Sequence, residues 1–220
     1  MTRRMAFVLV TVTALLATAA LAVAGDGKEQ IRFNRADQAA ARAVVLRRTD
    51  LGSSAWQGGA LKPDLSPAPT CANFHPKVSD LVITGAAQTD FRRSGLDFGN
   101  LVVVLETRRM VALDWRRSLL APGTIPCLRQ TMSKALGSGA RLLSFAKLPF
   151  PHLTTRTALF RAVIVVQAQG KAVRVLADLV AVARGRTEIT LSVAAPASAK
   201  RAVSAAERRL LRVLVSRARA

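Results

Sequence analysis

The sequence predicts an α+β domain: a twisted antiparallel sheet flanked by helices and closed by a C-terminal helix. Three observations carry this reading. Apolar runs at 158–167, 172–183 and 187–194 follow one another with only Gln169-Gly170 and Gly185-Arg186 as turns, which is the spacing of antiparallel hairpins. Residues 101–105 are apolar without alternation, as in a strand covered on both faces. Segments with helical periodicity stand before, between and after the strands, giving the order α-β-β-α-α-β-β-β-β-α.

The chain begins with Arg3 and Arg4 before an apolar run at 5–24 that ends in Ala22-Val23-Ala24, small residues at the −3 and −1 positions of a cleavage site. Residues 1–24 therefore read as a secretory leader. About 20 apolar residues also span a bilayer, so an uncleaved tether is the alternative. No Cys follows the run, so no lipid anchor is expected. Residues 25–34 form a short polar lead-in, and 35–220 a single domain. Asn34 can cap a first helix with Asp37 at its third position, and the helix should end before Asp50-Leu51-Gly52. Trp56, Gly58-Gly59 and a Pro-rich stretch at 63–69 read as loop up to Cys71. Strands are expected at 81–91 and 101–107 around a polar turn containing Gly95 and Gly99. A helix at 108–120 stacks Val111, Trp115 and Leu119 on one side. A second helix follows at 127–136, a strand at 141–147, the three hairpin strands, and a last helix at 198–217.

The 220 residues hold 33 Lys+Arg against 13 Asp+Glu, a formal charge of +20. Such a surface attracts anionic partners, namely wall polymers, acidic lipids or nucleic acid. Codon bias in a GC-rich genome produces the same Arg excess. Cys71 and Cys127 stand alone and both follow the leader, so export predicts one disulfide, worth about 4 kcal/mol by loop-closure entropy. Two free thiols are the alternative. Zinc would need Cys71, His75, Cys127 and His152 together, but the second half is too widely spaced, so no metal is expected.

Two constellations remain. A two-residue turn at Gln169-Gly170 sets Arg161 opposite Asp178 among apolar neighbours, which predicts a half-buried structural ion pair. A ligand anion at Arg161 is the alternative. In the last helix, Arg201, Arg208, Arg212 and Arg219 share one face, with Val203, Ala206, Leu210, Val213 and Leu214 opposite. That face suits an anionic membrane surface or wall polymer, or else is a solvated back to a core stripe. No G-x-S-x-G, H-E-x-x-H, phosphate loop or G-x-G-x-x-G is present, so neither catalysis nor a cofactor is expected. Aromatic content of 5% with no Tyr leaves no stacking platform, so nucleic acid is not an expected partner.

Several stretches resemble the secreted sensor-like domains of actinobacterial envelope proteins, among them the extracellular sensor domain of a mycobacterial membrane Ser/Thr kinase and related small lipoproteins. They are Val44-Val45-Leu46 with Thr49-Asp50-Leu51 and Trp56, Cys71-Ala72, and 80–85. Further along come Pro126-Cys127-Leu128, 148–151, Arg161, Asp178-Leu179-Val180 and Arg184-Gly185-Arg186. The resemblance implies a helix-flanked twisted sheet with a ligand cleft, and ligand or protein contact outside the cell in place of catalysis. The sequence departs from it in having no kinase domain, no lipid-attachment Cys and no second cysteine pair. The expected function is an exported ligand-binding or sensor-like domain for a small molecule, lipid or glycan, with a cleft closed near the loop that Cys71 pins. The alternative is a basic envelope-associating protein acting through the C-terminal helix. Salt separates them, because screening weakens surface association and leaves an apolar cleft intact.

Overall fold

The computed structural model describes residues 28–66, 71–168 and 170–218. The leader, residues 25–27 of the lead-in, part of the Pro-rich stretch, Gln169, Arg219 and Ala220 lie outside the described residues. Along the chain the elements are β1 (Gln30–Ile31), α1 (Arg35–Val44), β2 (Gln57–Leu61), β3 (Val82–Arg93) and β4 (Leu96–Leu105). Next come α2 (Arg108–Asp114), α3 (Thr124–Ala135), β5 (Ala140–Leu148), β6 (Arg156–Ala168), β7 (Lys171–Arg184), β8 (Thr187–Pro196) and α4 (Lys200–Arg217).

The strands form one sheet in the order β1-β3-β4-β8-β7-β6-β5, and β2 also pairs β3. The sheet is antiparallel as the sequence predicts, except that the two-residue β1 pairs in parallel with β3 and makes it a mixed sheet. The hairpins form as their turn residues predict. Between β3 and β4 the turn is only Ser94-Gly95, both at positive φ, and Gly99 lies within β4 and not in the turn.

The first helix is shorter than its periodicity suggests. Asn34 accepts from the Asp37 N–H as expected, but Val45 turns extended and the Leu46 N–H donates to the Asn100 side chain on β4. That tertiary hydrogen bond ends the helix at Val44. α1 lies close on β3: a Cβ at Gly85 would sit 2.3 Å from the Asp37 carbonyl oxygen, so only glycine fits there. Beyond α2 the chain continues as a π-turn at Trp115–Leu119.

Helices cover both faces of the sheet, which explains the unbroken apolar run in β4. On one face Val103, Leu105, Phe160 and Leu179 pack with Val111, Trp115, Leu128 and Met132 from the α2–α3 side. On the other, Val102, Val180, Ile189 and Leu191 meet Val44 of α1 and Val203, Leu210, Leu211 and Leu214 of α4. Cys71 and Cys127 are joined, with Cα atoms 5.6 Å apart, tying the Pro-rich stretch to α3 across 56 residues.

Candidate functional site

The face beneath α4 holds the ion pair that the hairpin register requires. Arg161 and Asp178 are direct cross-strand partners. Arg161 Nε donates to Asp178 Oδ1 at 2.6 Å, and Nη2 donates to Oδ2. Asp178 has no exposed surface and Arg161 is 8% exposed. The fork of Arg161 is filled by Asp178.

A third charged residue joins them. Glu207 of α4 has no exposed surface, and neither carboxyl oxygen meets a donor among the described residues. Burial, and then the neighbouring Asp178, push its pKa up to about 9. Glu207 is therefore protonated at neutral pH beside the Asp178 carboxylate. Sequence reasoning passed over this residue. The signal was present: Glu207 stands on the apolar stripe, four after Val203 and three before Leu210.

Between α1 and the C-terminal end of α4 lies a groove of about 710 Å³, within the size range of small-molecule sites. Its floor is the alanine side of α1, and its walls carry Asp37, Arg108, Arg186 and Arg217. Arg186 donates through Nη1 to Asp37 Oδ2 at 3.0 Å and through Nη2 to Oδ1. The Arg186 hydrogen bond holds the Asp37 pKa down at about 2. Arg217 grips Asp50 in the same bidentate way. Arg108 is exposed and has no ion-pair partner among the described residues. Three guanidinium groups against two carboxylates, Asp37 and Asp50, leave the groove with one excess positive charge, that of Arg108.

On the opposite face, Glu29, Asp114 and Glu188 line a cavity of only about 20 Å³, room for a single water. Burial raises all three carboxyls, Glu29 to about 8 with help from the Asp114 charge. Ser118, four residues on, donates to Asp114. Among the described residues no group of three ligating side chains is placed to hold a metal ion. Both thiols of the zinc set considered above are spent in the disulfide, and His75 and His152 are exposed.

Along α4, Arg201 and Arg212 are exposed and Arg208 is half-buried; none forms an ion pair among the described residues, and Arg219 lies outside them. Arg209, off the predicted stripe, donates to the Asp50 carbonyl at 2.6 Å. No helix among the described residues is long and apolar enough to cross a membrane. The expected cleft near the Pro-rich stretch is not where these cavities lie: neither the groove nor the carboxyl-lined cavity is lined by residues 63–66 or Cys71.

No protein-family model matches the chain, and no curated protein matches it. Two solved structures are similar over most of its length. One is a protein of Mycobacterium smegmatis, an Rv0999 ortholog, 15% identical with a TM-score of 0.45, over 84% of this chain and 98% of that one. The other is the extracellular domain of PknH from Mycobacterium tuberculosis, 10% identical with a TM-score of 0.43, over 82% and 95%.

Proposed function

We propose that this chain is an exported, non-enzymatic ligand-binding domain of the cell envelope, and that its ligand carries a carboxylate or phosphate on an apolar body. The groove between α1 and α4 carries the reading: it is ligand-sized, floored by alanine methyls and walled by Arg108, Arg186 and Arg217. The leader at 1–24 and the joined Cys71–Cys127 support export. Titration with octyl phosphate, and with octyl glucoside as the uncharged control, tests it. The phosphate should bind and the glucoside should not. Arg108→Ala should weaken the phosphate about tenfold without changing the melting temperature, since a charge-assisted hydrogen bond contributes on the order of 1.5–3 kcal/mol. Equal binding of the two probes, or an Arg108→Ala variant that binds as tightly as the parent, would refute the groove.

A second reading rests on Arg201, Arg208 and Arg212, which have no ion-pair partner among the described residues and suit attachment to an anionic lipid or wall surface. Binding to phosphatidylglycerol vesicles that vanishes at 1 M NaCl and is removed by Arg201→Glu with Arg212→Glu would favour it, while octyl phosphate binding stays in place.

A further inference from the structure

Three of the five large apolar side chains exposed among the described residues lie along one edge of the sheet: Ile31 at 54%, Phe33 at 46% and Leu61 at 50%. That edge is β3 with its two outer partners, β1 against Val82 and Ile83 and β2 against Gln88 to Arg92. The three also share a face. Ile83 and Ala86 both belong to the core on the α2–α3 side, so Gln88, two residues beyond Ala86, points to that side as well. Ile31 is the cross-strand partner of Ile83, and Leu61 that of Gln88. Phe33 follows Ile31 by two in extended chain, where the Arg32 and Asn34 N–H groups donate to the Ile83 and Thr84 carbonyls. The partners of Ile31 and Leu61 are five residues apart on β3, so the row is roughly 15 Å long.

Cations stand beside each of them in the chain. Lys28, Arg32, Arg35 and Lys62 are exposed and form no ion pair among the described residues. They outnumber the two carboxylates on this edge, Glu106, whose N–H donates to the Val82 carbonyl, and the half-buried Asp64. Apolar side chains spaced out between cations lack the continuous apolar centre of a protein interface, and like charge opposes a second copy of this chain. They do match a lipid–water boundary, where apolar side chains enter the acyl region and Lys and Arg stems run along it to anionic head groups. The sequence puts such a surface within reach. The apolar run at 5–24 is long enough to span a bilayer, and from Ala24 to Ile31 the backbone covers at most about 25 Å. We propose that this edge of the sheet docks on the anionic phospholipid surface of the cell membrane. Ile31, Phe33 and Leu61 enter the acyl boundary, and the four cations bind lipid phosphates. The contact is separate from the groove and from the arginine face of α4.

The chain from Gly25 on, which holds every described element, tests this without the apolar run. It should float with vesicles of phosphatidylglycerol and phosphatidylcholine. Part of that binding should persist at 1 M NaCl, in contrast to attachment through α4, because salt screens head-group contacts and leaves apolar burial in place. Ile31→Ser with Phe33→Ser should weaken binding by about tenfold or more. Both side chains are exposed, so the melting temperature and the binding of octyl phosphate should stay as in the parent, which separates failure here from failure of the groove. Phe33→Trp reports insertion: vesicles with brominated acyl chains should quench the fluorescence that it adds, while the buried Trp56 and Trp115 of the parent are not quenched. Arg201→Glu with Arg212→Glu should leave that quenching in place. No flotation, flotation unchanged by the two serines, or an unquenched Phe33→Trp signal would overturn the proposal. So would a lipid-free dimer that the serines dissolve, which would assign the edge to a second copy.

Discussion

Glu207 shows how a single proton ties an element to the sheet. Its pKa of about 9 in the fold, against about 4.5 when the chain is unfolded, means that the folded state holds a proton the unfolded state releases. The contribution of this group is therefore full below pH 4.5 and is lost as pH rises towards 9. Glu207→Gln stays neutral beside Asp178 and needs no proton. It should raise stability at pH 8 by about 1–3 kcal/mol and leave it nearly unchanged at pH 4. Thermal melts at the two pH values check this; an equal shift at both would show that Glu207 is not the protonated partner. Of the three residues, Arg161 and Asp178 were legible because hairpin register depends on one turn. The place of Glu207 beside them was not, since it depends on where α4 docks, which no local pattern specifies.

At the scale of elements, local signals sufficed where local chemistry decides. Asn34 caps α1 as its residue type predicts, and Asn34→Ala should cost about 1 kcal/mol, lowering the melting temperature by roughly 2–4 °C in a domain of this size. A calorimetric scan checks it; an unchanged midpoint would mean that α1 is held by its packing on Gly85 and β3 alone. Tertiary contacts decided the rest. The end of α1 answers to Asn100, 54 residues away from Leu46. β2 contains Gly58-Gly59, a pair that reads as loop, yet it pairs with β3 over five residues because that edge offers backbone partners. The π-turn also escaped notice: Trp115 and Leu119 are helix-spaced in sequence, and only the structure shows the wider turn there.

For the whole molecule, two sets of carboxyls act in opposite directions. Asp37 sits near pKa 2, so the stability it contributes is present above pH 4 and lost as the solution is acidified further. Glu29 and Glu207 are raised to about 8 and about 9, and burial raises Glu188 as well, so the stability they contribute is present in acid and lost as the pH rises above the ordinary carboxyl range. Stability should therefore peak at about pH 4–5, below neutrality. Melting temperatures at pH 3, 5, 7 and 9 test this, and a maximum at pH 8 or above would contradict it. The fold class and the hairpin order were legible because the sheet is mostly hairpins with short turns. The groove was not, because its arginines come from α2, the β7–β8 turn and α4, far apart in sequence.

The bond between Cys71 and Cys127 has one further consequence. It encloses β3, β4, α2 and the π-turn within a covalent ring. An extracellular protease that cuts the backbone anywhere inside that ring leaves two fragments still held together, so a nicked molecule keeps its size and shape until a reductant parts them.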